Sequence, residues 1–156
     1  MTLSVRVLVP DEWQALRDVR LAALLDAPDA YYATYDSTVE RTEDEWRAWP
    51  GRGVCFLAWL GGEPVGMVGI APTVTDPARA DLFAMWVAPA TRGTGTADAL
   101  ITAALDWARE RGCRSVDLEV APGNVRAERV YLRHGFVITG ESTTVTCGVT
   151  MRRSFS

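Results

Sequence analysis

The stretch from Leu82 to Leu105, LFAMWVAPATRGTGTADALITAAL, decides how the rest of the chain is read. It opens with the end of an almost continuously apolar run, Asp81 to Val87, which has the composition of a buried strand. A turn carrying Pro89, Gly93 and Gly95 follows, and then a long amphipathic helix. Ala97, Leu100, Ile101, Ala104, Leu105 and Ala108 repeat at the helical i, i+3, i+4, i+7 spacing, and Gly112 supplies a C-terminal stop. Where strand hands over to helix, the first N–H groups have no intrahelical partner, and glycines let the backbone approach an anion closely. The stretch therefore outlines a phosphate site.

Working outward, Val54 to Leu60 and Val65 to Ala71 are apolar strands separated by Gly61, Gly62, Glu63 and Pro64, which is hairpin chemistry. Thr73 to Ala80 is a loop, so three successive strands end at Val87, and their short connections make them antiparallel neighbours. On the other side, Ser115 to Val120 forms a strand with Val116, Leu118 and Val120 on one face and Asp117 and Glu119 on the other. Strand, helix and strand make a right-handed crossover, so Asp81–Val87 and Ser115–Val120 are expected to be parallel. Asn124 then caps a short helix that runs to His134 and stops at Gly135. His134, the only histidine, sits where a helix C-terminus favours a cation and is read as structural. Phe136 to Gly140 and Thr143 to Phe155 are two closing strands.

At the N-terminal end, Leu3 to Val9 reads as a strand ended by Pro10, and the segment from Asp11 as a helix stopped by Pro28, with Trp13, Leu16, Val19 and Ala23 on one face. Thr42 and Glu45 form a capping-box pair for a short helix through Trp46 that ends before Pro50. Tyr31, Tyr32, Tyr35, Trp46 and Trp49 supply either a substrate wall or the packing of a helical layer.

A chain of 156 residues, 48% hydrophobic and 23% charged, is expected to form one domain with a proper core and no bilayer span. The start carries no apolar signal region, which points to the cytoplasm. Cys55, Cys113 and Cys147 lack metal-ligand spacing and read as reduced, mostly buried thiols, and no metal is expected. A net charge of −4 argues against nucleic-acid or anionic-membrane surfaces. All sixteen basic residues are Arg, so a Walker loop and Schiff-base chemistry, both of which need Lys, are excluded.

The order β α α β β β α β α β β, together with two motifs, resembles the GNAT superfamily of acyl-CoA-dependent N-acetyltransferases over the whole of residues 1–156. The first motif, Arg/Gln-x-x-Gly-x-Gly/Ala, falls on Arg92, Gly95 and Ala97, behind the strand ending Trp86-Val87 and Pro89. The second, Asn-x-x-Ala-x-x-x-Tyr-x-x-x-Gly-Phe, falls on Asn124, Ala127, Tyr131, Gly135 and Phe136. A dinucleotide fingerprint is the rival for the glycines, but it wants a third glycine where Asp98 stands, and it belongs after a first strand.

The resemblance implies an α/β (α+β) GNAT fold: a mixed central sheet of about seven strands flanked by about four helices and splayed at the CoA-binding strand. It implies acetyl-CoA as co-substrate, with Gly93, Thr94, Gly95, Thr96, Ala97 and Asp98 wrapping the pyrophosphate and the backbone of Met85, Trp86 and Val87 running beside the pantetheine arm. Arg92 either adds charge to the phosphates or is an exposed turn residue, and Asn124 both caps its helix and donates to the CoA arm. Tyr131 is the implied general acid and Glu119 the implied general base, with Asp81 or a water chain as alternatives to Glu119. A backbone N–H near Val87 is the oxyanion donor.

The expected activity is transfer of an acetyl group to a primary amine, on a small molecule or peptide, by direct attack in a ternary complex. The alternative is a non-catalytic acyl-CoA-binding module, which the presence of Tyr131 disfavours. A homodimer is compatible with the superfamily, and the regions expected to select the acceptor are the aromatic segment, the loop before Asp81 and the closing hairpin around Glu141 to Thr144.

Overall fold

The computed structural model describes residues 2–31, 33–141 and 148–155. The elements run β1 (Leu3–Val7), α1 (Trp13–Asp26), α2 (Tyr35–Val39), α3 (Glu43–Ala48), β2 (Val54–Leu60), β3 (Glu63–Pro72), β4 (Arg79–Val87), α4 (Thr96–Glu110), β5 (Ser115–Val120), α5 (Val125–Arg133), β6 (Val137–Glu141) and β7 (Val149–Ser154). All seven strands share one mixed sheet in the order β1-β2-β3-β4-β5-β7-β6. Only β4 and β5 pair in parallel, as the crossover through α4 requires.

Period-two alternation along the strands gives the sheet two covered faces. Phe56, Ala58, Val68, Ile70, Leu82, Val116 and Leu118 join one core with Leu100, Ile101, Ala104 and Ala108 of α4. Cys55, Leu57, Met67 and Trp86 point the other way and meet Leu16, Val19 and Ala23 of α1. Among the described residues, no helix is long and apolar enough to cross a membrane.

Several boundaries differ from the expectation. β1 ends at Val7, two residues early, and Pro10–Glu12 form a 3₁₀ turn before α1 begins at Trp13. β4 starts at Arg79, because its first residues pair with β5 and with the end of β3. Five α-helices flank the sheet where about four were expected; the extra one is α2, capped by Thr34, whose hydroxyl accepts from the Ser37 N–H at 3.2 Å. Cys55 and Cys113 are buried free thiols. Cys147, Tyr32 and the start of the closing strand at Thr143 and Thr144 lie outside the described residues.

The β4–β5 pair shapes the site. Its ladder covers only Arg79–Asp81 against Ser115–Asp117. Beyond that point the strands diverge while β4 stays paired to β3. The β3–β4 register slips between Met67 and Gly69, and Ala84 takes up the extra residue of β4 with φ +56°. Such a bulge bends its strand, and an alanine in the left-handed region costs about 1 kcal/mol.

The ladder is fastened by Asp117, on the face of β5 opposite Val116 and Leu118, which is 7% exposed. Its carboxylate accepts from Arg152 Nε at 2.7 Å and Arg152 Nη2 at 3.2 Å, and from Arg79 Nη2. Burial alone pushes this carboxyl upward, but the hydrogen bonds from Arg152 and Arg79 outweigh it and hold the pKa below the ordinary value. A depressed carboxyl pKa contributes stability above the unfolded value, and that contribution is lost as pH falls through the folded value. Asp117→Asn is expected to lower unfolding stability in urea by about 2 kcal/mol at pH 7, discounted for the partly exposed arginines, and by less near pH 3.

Candidate active site

The divergence of β4 from β5 opens a cleft of about 1180 Å³. Its walls are Leu82 to Val87 on one side and Leu118 to Val120 with Asn124, Val130 and Tyr131 on the other. Gly93, Gly95, Ala97 and Asp98 close one end. From Leu82 onward the edge of β4 that faces the cleft has no strand partner, so its backbone can pair with an extended ligand.

At the head of α4, Gly93 and Gly95 adopt φ +80° and +88°, which only glycine takes without cost. No atom lies within 4 Å of where a Cβ would stand on either one, so the cradle is open space ringed by backbone. The first i→i−4 bond of α4 runs from the Ala99 N–H to the Gly95 carbonyl at 3.0 Å, which leaves the N–H groups of Thr96, Ala97 and Asp98 without an i−4 partner. The side chains of Thr94 and Thr96 are hydrogen-bonded within the turn. Thr94 Oγ1 donates to the Thr91 carbonyl and lies 3.0 Å from Thr96 Oγ1, and Thr96 is buried.

Arg92 is exposed, lines the cleft and is tied to α1. Its Nη2 donates to Asp26 Oδ2 at 2.6 Å and its Nε to the Val87 carbonyl at 3.2 Å. Trp86 Nε1 donates to the same Asp26 oxygen at 3.0 Å. The Trp86 hydrogen bond, then that from Arg92, lowers the Asp26 pKa. The end of α1 is thereby tied to the loop that forms the cradle. The sequence offers no spacing signal for Asp26, because its partners lie 60 and 66 residues away.

Asp98, the third residue of α4, is bound by the far end of α5: His134 Nε2 and Arg133 Nη2 both lie 2.7 Å from its Oδ1. His134 thus has the structural place expected of it. Asn124 caps α5, accepting the Ala127 N–H at 3.3 Å, which leaves its NH2 group for another partner. Two turns along α5, Tyr131 is 6% exposed and meets Phe136 edge-on at 5.6 Å. Burial pushes its phenol pKa up, so the hydroxyl stays protonated at neutral pH.

Glu119 lines the same cleft from the other face of the sheet, since it alternates with Leu118 and Val120, which are buried in the α4 core. Asp81 shares that face, because it is the register partner of Asp117. Burial raises its pKa, with the nearby carboxylates of Asp117 and Glu119 adding to the effect. Tyr131 and Glu119 therefore line one gap from opposite faces of the sheet.

In the aromatic segment, Tyr31 lines the cleft and donates to the Met85 carbonyl at 2.8 Å, while burial pushes its pKa up to about 12. Trp46 does not line the cleft: at 1% exposed, it is a core residue under α1. Trp49 packs edge-on against Phe83, a cleft residue not singled out from sequence.

The family model that matches, described as the Acetyltransferase (GNAT) family, covers residues 18–136. The chain belongs to this family. It is 38% identical over 96 residues to human N-acetyltransferase 8, covering 58% of this chain and 42% of that protein. It is 32% identical over 148 residues to a mycothiol acetyltransferase of Frankia casuarinae, covering 86% of this chain and 41% of that one. The chain thus spans well under half the length of either curated relative.

Among solved structures, a GNAT-family acetyltransferase of Streptococcus pneumoniae superposes with a TM-score of 0.81 at 23% identity, covering 99% of this chain and 100% of that one. The yncA protein of Salmonella typhimurium, solved with its cofactor acetyl-CoA, superposes with a TM-score of 0.83 at 17% identity, covering 100% and 95%. At these identities the likeness is one of fold.

The conformation of Gly95 can be tested apart from any ligand. Gly95→Ala is expected to lower stability in urea unfolding by about 1–2 kcal/mol, the cost of a Cβ in the left-handed region. No steric part is expected, since the added methyl meets nothing.

Proposed function

We propose that the chain is an N-acetyltransferase that carries an acetyl group from acetyl-CoA to a primary amine by direct attack. The observation that carries this reading is the single cleft that holds the glycine cradle, the unpaired β4 edge, Tyr131 and Glu119 together. The cradle and edge fit a diphosphate joined to an extended, amide-bearing arm, and a cleft of about 1180 Å³ suits a ligand of that size. Acetyl-CoA would supply the activated acyl group as a thioester.

In this reading the chain's own residues do four things. The open N–H groups at the head of α4, aided by the helix dipole, bind the pyrophosphate, while Arg92 holds the loop rather than the phosphate. The β4 backbone from Met85 to Val87 and the Asn124 amide orient the arm, and an N–H near Val87 faces the thioester oxygen. Glu119 takes a proton from the amine nitrogen as it attacks, with Asp81 behind it on the same face. Tyr131 gives its hydroxyl proton to the departing sulfur, so one proton is taken and one returned. The acceptor is a small-molecule or peptide amine, with no role for nucleic acid, membrane or metal, and the reaction is placed in the cytoplasm. A homodimer is compatible with this scheme.

Incubation of the purified protein with acetyl-CoA and a panel of amines, with free thiol followed, tests the reading. Amine-dependent thiol release is expected; acetyl-CoA binding without release on any amine would assign a binding module instead. Tyr131→Phe is expected to lower kcat by about a hundredfold and leave acetyl-CoA affinity within about twofold. Equal losses of both would make Tyr131 a packing residue. Glu119→Gln is expected to lower kcat by at least about tenfold while leaving acetyl-CoA affinity within about twofold.

A further inference from the structure

A second cavity, of about 360 Å³, lies between the later turns of α4, the end of α5 and β7, and its size is within the range of small-molecule sites. Arg109, Arg133 and Arg153 line it against one carboxylate, Asp106. That local balance runs against the net charge of −4 on the chain. Asp106 answers Arg109 at 3.7 Å, across a contact exposed on both sides.

Arg153 is the most firmly built part of this cavity. Its Nε donates to the His134 carbonyl at 3.1 Å and its Nη1 to the Ser154 carbonyl. A Cβ on Gly135 would stand 2.7 Å from that Nε and 2.9 Å from Cδ, so the side chain lies where it does because residue 135 has none. Carbonyl dipoles orient a guanidinium without cancelling its charge, and among the described residues no carboxylate pairs with Arg153. Arg153 and Arg109 also meet at one ring, Phe155, with their guanidinium carbons 5.5 and 4.7 Å from its centroid. Like charges gathered in this way repel, and an anion beside them turns the repulsion into binding. Guanidinium forks match the oxygen pairs of phosphates and carboxylates.

Arg133 lines both this cavity and the larger cleft. Its Nη2 and His134 Nε2 each lie 2.7 Å from Asp98 Oδ1, and Asp98 carries one of the open N–H groups at the head of α4. An oxyanion that draws Arg133 toward Arg109 and Arg153 takes one of two partners from a carboxylate at the glycine cradle, and uncompensated negative charge there opposes a pyrophosphate.

Resting, for its effect, on the acetyl-CoA reading of the cleft, we infer that the second cavity binds a small multivalent oxyanion, a phosphate ester or a polycarboxylate, and that its occupation weakens acetyl-CoA binding through Arg133 and Asp98. The coupling is reciprocal, so acetyl-CoA weakens the oxyanion by the same factor.

The test is calorimetry of acetyl-CoA binding to the purified chain in citrate or inorganic phosphate, against sodium chloride at equal ionic strength, with backbone N–H NMR signals followed in the same titrations. Citrate, phosphate or both are expected to raise the acetyl-CoA Kd at least about fivefold beyond sodium chloride. The signals of His134 and Gly135 are expected to move more than those of Gly93 and Gly95. Citrate acting alone assigns a polycarboxylate, and phosphate acting alone a phosphate ester. Arg109→Gln, at an exposed position on α4, and Arg153→Gln are each expected to raise the oxyanion concentration needed for half the effect by about tenfold, with the acetyl-CoA Kd in sodium chloride held within about twofold. If Arg153→Gln does not fold, Arg109→Gln alone decides. An effect no larger than that of sodium chloride, signal changes confined to Gly93 and Gly95, or a folded Arg109→Gln that responds as the parent chain does would overturn the inference and leave the acetyltransferase reading standing. Loss of the effect with acetyl-dephospho-CoA would overturn it too, because the oxyanion would then be competing for a phosphate subsite of the cofactor. Movement of Gly135 with no acetyl-CoA binding at all would overturn the acetyltransferase reading and the coupling, and support the oxyanion site.

Discussion

Everything in this structure that bears on function follows from a parallel ladder that is too short. β4 and β5 share three register pairs and then part, and the partners of Asp117 hold the point of separation. The bulge at Ala84 bends β4 without releasing it from β3, so the gap opens on one side only. If the ladder ran on to Val87, the two strands would satisfy each other and no backbone would be left for a ligand. The buried ion group at Asp117 is thus less a source of net stability than a fixed vertex, in keeping with the small margin that buried ion pairs usually supply.

That vertex also sets the order of groups along the gap. The open N–H groups at the head of α4 lie where β4 passes into α4, and Tyr131 and Glu119 line the gap from its two faces. α5 brings Tyr131 from the side of the large core, while β5 presents Glu119 toward the opposite face. The alternation of a single strand, buried Leu118 and Val120 against exposed Glu119, puts Glu119 on the face of the sheet opposite Tyr131.

Much of this was legible in the sequence, for local reasons. The strand–glycine–helix stretch, the capping box at Thr42, the Asn124 cap and the parallel crossover all depend on residues close in the chain or on rules of chain handedness. What was not legible depends on partners far apart. Asp117 and Glu119 look alike in a period-two pattern, but only Asp117 finds Arg79 and Arg152 across two neighbouring strands, and so only it is buried. The pairing of Arg92 with Asp26 at the end of α1 likewise joins residues 66 apart in the chain. Trp46 and Trp49 are indistinguishable by composition, yet α3 turns the first into the core and the second onto Phe83. Nor does anything in Val149 to Ser154 announce that the last strand inserts between β5 and β6.

The unpaired edge of β4 has a further consequence. A row of free backbone groups on a strand is ordinarily a template on which another polypeptide can add itself, and proteins guard such rows with charge, proline or short length. From Leu82 to Val87 β4 carries neither charge nor proline, and only the Met85 and Val87 carbonyls there accept from side chains, those of Tyr31 and Arg92, among the described residues. Its protection is its position: it is an interior edge, four strands in from one side of the sheet, facing β5 and α5 across the cleft. A single narrow chain can enter that space lengthwise, whereas the edge of a second folded sheet cannot. The fold therefore keeps a strand-pairing surface available to a ligand while denying it to other copies of the protein, and a change that widened the gap would be felt first as self-association.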